Sequence, residues 1–166
     1  MPEPPVVLTD TMIVIEAIRT GCWNAITGQR KLVTVEKCRE ELLRGDSALA
    51  DYVPVTEQDI ARLGVEPVDP VLAVRFRLEC PGSDALDPGE RDLLAYAFGL
   101  KDDFLLCSSD KAAVRIAHRM GLLESVVSLQ VLVESVGGRA RPALKLQFTE
   151  RWMSAWRTAL LFEGSA

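Results

Sequence analysis

Four acidic residues stand where strands end or helices begin. They are Asp10 after the apolar run Val6-Val7-Leu8, Glu41 in Glu36-Lys37-Cys38-Arg39-Glu40-Glu41-Leu42, Glu90 in Asp87-Pro88-Gly89-Glu90, and Asp110 after Phe104-Leu105-Leu106-Cys107-Ser108-Ser109. Carboxylates gathered at one end of a sheet repel one another, and each loses hydration on burial. A divalent cation relieves both, and oxygen-only donors suit Mg²⁺ or Mn²⁺ rather than Zn²⁺. An ion held this way, with water in its remaining positions, serves phosphodiester cleavage. Each acid also has a plainer reading. Asp10 and Asp110 are good helix N-caps, Glu90 is favoured in a first turn by the helix dipole, and Glu41 fits a solvated helix face. Glu40 competes with Glu41 as ligand, and Asp92 with Glu90.

The hydrophobic pattern sets out the strands and helices that carry these acids. Val6–Leu8 is a short, continuously apolar run, as expected of a strand buried on both faces of a parallel sheet, and Leu32–Thr34, Phe104–Cys107 and Val126–Val127 read as further short strands. Val53–Val55 is a further candidate strand. Helical periodicity covers Thr11–Arg19, Val35–Arg44, Glu90–Leu100, Lys111–Met120 and Leu129–Val136, and Thr56-Glu57-Gln58-Asp59 and Asp69-Pro70 look like helix starts. Strands alternating with helices predict an α/β fold, a three-layer α/β/α sandwich with a central parallel sheet. Ligands bind beyond the carboxyl ends of such strands, where Asp10 and Asp110 both fall.

The 166 residues are 48% apolar, enough for one compact domain, expected over residues 5–138. A helical extension follows over 143–166, with Trp152, Trp156 and Leu160 on one face. That stripe is too large to leave in water, so it predicts docking on the domain or, as the favoured expectation, a homodimer. The net charge of −5 argues against a protein that coats nucleic acid but not against a nuclease, whose basic residues need line only one groove. Cys22, Cys38, Cys80 and Cys107 match no zinc spacing and read as buried free thiols of a reducing cytosol. The N-terminus has no signal-peptide pattern and no apolar run approaches the roughly 20 residues of a membrane span, so a cytoplasmic protein with no membrane partner is expected.

The four segments together resemble the PIN domain, a family of metal-dependent ribonucleases that includes the VapC-type toxins of bacterial toxin–antitoxin pairs. The resemblance runs from about Val6 to Gly137. It is carried by Asp10-Thr11-Met12 after the first strand and by Thr34-Val35-Glu36-Lys37-Cys38-Arg39-Glu40-Glu41-Leu42. Gly89-Glu90-Arg91-Asp92-Leu93-Leu94-Ala95-Tyr96-Ala97 and Ser108-Ser109-Asp110 complete it. It departs from the family at Met12, where a polar residue is usual, and is loose over Asp46–Ala85. The resemblance implies that Asp10, Glu41, Glu90 and Asp110 are the catalytic residues and metal ligands, holding Mg²⁺ or Mn²⁺, with Ser108 supporting them by hydrogen bonding. It further implies an RNA substrate and, for a toxin, an antitoxin protein as partner.

A second reading is a catalytically inactive PIN-like module that binds proteins; loss of an acid would signal it, and none is lost. A phosphatase of the Asp-x-Asp type would need an acid at Met12, and a dinucleotide fold would need a glycine-rich turn where Thr9-Asp10-Thr11 stands. Lys111, Arg115 and Arg119 recur every fourth residue, leaving a solvated face and an RNA-facing role both open. His118 is the only histidine, which excludes chemistry by a histidine pair.

Overall fold

The computed structural model describes residues 2–45 and 47–163. Asp46, at the head of the expected Asp46–Pro88 stretch, and the last three residues of the expected tail lie outside these. Five strands, β1 (Val6–Thr9), β2 (Leu32–Val35), β3 (Gly64–Glu66), β4 (Phe104–Cys107) and β5 (Val126–Val127), form one all-parallel sheet in the order β3-β2-β1-β4-β5. Nine α-helices accompany them among the described residues. They are α1 (Thr11–Arg19), α2 (Trp23–Gln29), α3 (Glu36–Leu43), α4 (Glu57–Ala61), α5 (Pro70–Glu79), α6 (Pro88–Gly99), α7 (Lys111–Arg119), α8 (Leu129–Ser135) and α9 (Glu150–Glu163).

The period-two alternation of a strand sends successive side chains to opposite faces, and each face has its own core. Leu8, Val33 and Leu106 point to one, where they meet Phe76 of α5, Leu93 and Leu94 of α6, and Val114 of α7. Val7, Leu32 and Cys107 point to the other, where Ile13 and Val14 of α1, Ile26 of α2, and Leu129 and Leu132 of α8 close over them. The sheet is therefore covered on both sides, the α/β/α arrangement expected from the sequence. No helix among the described residues is long and apolar enough to cross a membrane. All four cysteines are buried and free.

Two local expectations change. Val53–Val55 is not a strand; the third strand is Gly64–Glu66, paired in parallel with β2. Pro54 lacks the N–H that a ladder needs, whereas Gly64 lets the β3 backbone come close to Val33, whose Cγ2 would lie 3.3 Å from an added Cβ. The helix α2 was also unexpected, because Thr20-Gly21 reads as a stop. Gly21 does stop α1: at φ +71° it closes a Schellman motif, with the Gly21 N–H on the Ile18 carbonyl and the Cys22 N–H on that of Ala17. The chain then starts a new helix at once, burying Trp23 and Ile26.

The segment beyond Gly138 builds into both cores. Phe148 enters one, and Met153 and Leu160 of α9 enter the other. Arg157 donates to the Val126 carbonyl on the edge strand β5 and pairs with Glu150 at 3.0 Å. The stripe anticipated as Trp152, Trp156 and Leu160 docks within the same chain, Leu160 fully and the two tryptophans at its margin. It therefore no longer argues for a homodimer.

Candidate metal centre

The chain winds outward from β1 through β2 to β3, then returns to lay β4 on the other side of β1, so the strand order reverses between β1 and β4. Thr9 is in register with Cys107. Asp10 and Ser108 consequently leave the sheet side by side, and the Ser108 hydroxyl donates to Asp10 Oδ2 at 3.0 Å. The same hydroxyl accepts the Asp110 N–H at 3.2 Å, joining the two strand ends through one side chain.

Asp10 and Asp110 also cap their helices. Asp10 Oδ1 accepts the Ile13 N–H at 3.0 Å, and Asp110 Oδ1 accepts the Ala113 N–H at 2.8 Å. Capping and a metal role are compatible, because each cap occupies one carboxylate oxygen and fixes where the other lies.

Glu41 reaches the site from the last turn of α3, not from a helix start or a strand end as expected. Thr11, in the first turn of α1, donates its hydroxyl to Glu41 Oε2 at 2.7 Å. Gly89 packs against the same carboxylate from the other side: an added Cβ there would lie 2.6 Å from Glu41 Oε1, so a larger residue would push this side chain aside. Thr11 and Gly89 are therefore working parts of the site. Both stand in the motifs that carry the resemblance, but nothing local in the sequence shows that they meet Glu41.

The rival acids separate. Glu40 points to cations, Lys37 at 3.5 Å and Arg44 at 3.9 Å, whereas Glu41 forms no ion pair among the described residues. Asp92 lies two residues past Glu90, roughly 200° round the helix. Burial raises its carboxyl above the ordinary value, against the pull of Arg91 and Lys37, with Glu40 and Glu41 adding repulsion. The charges it feels most are carried by α3 and by its own helix.

Electrostatics bind the four acids into one group. Asp10 is 3% exposed. Burial raises its carboxyl to about 6, offset in part by the Ile13 N–H and Ser108 and reinforced by the charges of Asp110 and Glu41. Burial likewise raises Glu90 to about 8, with Asp110 and Asp10 adding repulsion. Asp10, Glu90 and Ser108 line one small hollow walled by Leu93, Leu94 and Leu106. Among the described residues, none of the four acids is paired with Lys, Arg or His.

These observations test the fit to a divalent cation. The donors are all oxygen, the charges are mutually repulsive and uncompensated, and the burial that raises Asp10 and Glu90 is what a cation would offset. Donor type and charge therefore fit Mg²⁺ or Mn²⁺. The finished geometry does not stand ready: among the described residues no three carboxylates, thiols or imidazoles converge as a chelate.

The same shifts predict a pH dependence. A carboxyl raised in the folded state binds its proton more tightly there than in the unfolded chain, so stability falls as pH rises from about 4 to about 8. The Asp10 shift alone corresponds to about 3 kcal/mol. Denaturant unfolding in EDTA is expected to show this decline, and Asp10→Asn with Glu90→Gln to flatten it. A wild-type curve level across that range would show that the acids are not strained.

Comparison with models of known protein families finds none that matches the chain, and comparison with curated proteins finds no match either.

Proposed function

We propose that the chain is a Mg²⁺- or Mn²⁺-dependent endoribonuclease, with Asp10, Glu41, Glu90 and Asp110 holding the ion. The observation that carries this reading is a set of four carboxylates with no cationic partner, within range of one another's charge, where the strand order reverses. The sequence resemblance to PIN domains supplies the substrate class, RNA. When bound, the ion supplies Lewis-acid polarisation of a phosphoryl oxygen and a water acidic enough to attack it.

The remaining work falls to the chain. Ser108 holds Asp10 and the Asp110 backbone in fixed relation, so two ligands from separate strands are oriented before an ion arrives. Thr11 holds one oxygen of Glu41, leaving Oε1 to orient a water for in-line attack. The apolar walls beside Asp10 keep bulk water from screening these charges.

A toxin with an antitoxin partner is the biological role this reading suggests. The inactive protein-binding module is the second reading; four retained acids, each held or unpaired as above, favour the enzyme.

Incubation of purified protein with a structured RNA in Mg²⁺ or Mn²⁺ tests the proposal. Wild type is expected to cleave, Glu41→Gln to lose at least about tenfold, as for loss of a metal-orienting group, and Glu40→Gln to stay within about twofold, as for a surface substitution. Absence of cleavage by wild type with either ion would remove the enzyme reading. Loss on Glu40→Gln with retention on Glu41→Gln would exchange the two residues.

A further inference from the structure

The basic stripe on α7 does not behave as one surface. Arg115 is taken by Glu163 at 3.0 Å, and Arg119 donates to the Pro81 carbonyl at 3.4 Å. Lys111, exposed and immediately after Asp110, forms no ion pair among the described residues. It is nevertheless held. Its ammonium lies 4.9 Å from the centroid of the Trp156 ring, and the Trp156 indole N–H donates to its carbonyl oxygen at 3.2 Å. Arg115 also lies 4.9 Å from that centroid, and its pair with Glu163 ties the far end of α9 to α7. An aromatic face restrains a flexible ammonium without neutralising it, as a carboxylate partner would.

We propose that Lys111, restrained by Trp156, is a substrate-binding residue that contacts an RNA backbone phosphate flanking the scissile one, which makes α9 part of the substrate surface. This rests on the ribonuclease reading above. Four uncompensated carboxylates on a chain of net charge −5 repel a polyanion, so the strand needs a fixed positive contact close to them. The Arg91 side chain, beside Glu90 and near the charge of Asp92, forms no ion pair, hydrogen bond or ring contact among the described residues. Lys111, adjoining Asp110, is both unpaired and held in place. Phosphate is the group such a point charge takes, since each contact releases counterions from the strand.

Binding of a labelled single-stranded RNA to the full chain, followed by fluorescence anisotropy in EDTA over a KCl series, tests this without cleavage. Lys111→Gln is expected to weaken binding on the order of fivefold at low salt and to reduce the slope of log K against log salt by about 0.7, one phosphate contact on a single strand. Lys101→Gln, an exposed cation near the opposite end of the sheet, is expected to change neither. Trp156→Leu is expected to follow Lys111→Gln, and Trp156→Phe, which keeps a ring, to lie between it and wild type. With cleavable RNA and Mg²⁺, Lys111→Gln is expected to raise KM while kcat stays within about twofold, the signature of lost binding.

An unchanged affinity and slope in Lys111→Gln overturns the proposal, as does a wild type that binds no RNA. A fall in Lys111→Gln with a folded Trp156→Leu at wild-type affinity removes the role of α9. Lys111-dependent binding by a wild type that cleaves nothing in Mg²⁺ or Mn²⁺ upholds the phosphate contact and rejects the nuclease reading instead.

Discussion

Asp10→Asn is expected to lower RNA cleavage by on the order of a thousandfold, comparable to deleting a principal electrostatic group from an active site. Asp10 is the acid that the other parts converge on. It accepts Ser108, feels both Asp110 and Glu41, and is itself felt by Glu90. The amide keeps the volume and one oxygen for the cap to Ile13, so the fold should survive. In EDTA near pH 8 the variant should equal or exceed wild type in stability, by up to about 3 kcal/mol, because it removes a buried charge that has no cationic partner. EDTA added to wild type should abolish cleavage to the same level. Cleavage by Asp10→Asn at the wild-type rate, or cleavage by wild type undiminished by EDTA, would exclude this residue or this ion from the chemistry.

Glu16→Ala is expected to destabilise the protein by about 3 kcal/mol, the cost of breaking a largely buried ion pair by removing one partner. Glu16 is 2% exposed. Arg19 grips it with two bonds, Nε to Oε1 at 2.6 Å and Nη2 to Oε2 at 2.9 Å, and the Lys145 N–H adds a third at 2.7 Å. Arg19 also donates to the Ala143 carbonyl, so this carboxylate ties α1 to the segment that leads into α9. For a domain of this size the loss should appear as roughly 6–12 °C in Tm. Burial pushes the Glu16 carboxyl up, yet Arg19 and the Lys145 N–H hold it below the ordinary value. A lowered carboxyl stabilises the fold above its unfolded titration range and loses that contribution as pH falls through and below it, the reverse of Asp10. Glu16→Ala should therefore show a shallower acid transition than wild type. A Tm within about 2 °C of wild type would show that this tie holds nothing.

The two carboxylates differ in what the sequence reveals of them. Asp10 is legible because strand chemistry is local: Val6-Val7-Leu8 before it and a helical period after it place an acid at a strand end whatever the rest of the chain does. The same holds for Asp110, for the cap at Thr56, where the capping box with Asp59 forms as expected, and for α5, which starts at Asp69-Pro70. Glu16 is not legible. On the sequence it is one polar residue of an amphipathic helix, and only the return of residues 143–145, more than a hundred positions later, turns it into a buried anchor.

Legible in the chain alone are the alternation of strands and helices, the two-sided burial of the sheet, and the placement of Asp10 and Asp110 beyond its carboxyl end. Those features depend on periods of two and 3.6 residues and on caps, all written within a few residues of one another. Which of two neighbouring acids faces the site, and what holds it there, depends on long-range contacts. Glu41 and Glu40 differ by about 100° around one helix, and the choice between them is made by Thr11 and Gly89 on one side and by Lys37 and Arg44 on the other. The edge strand at Gly64 rather than Val53, and the docking of α9 that sets Trp156 beside Lys111, were decided in the same way. Each depends on a contact between segments far apart in the chain, and no local period carries that information.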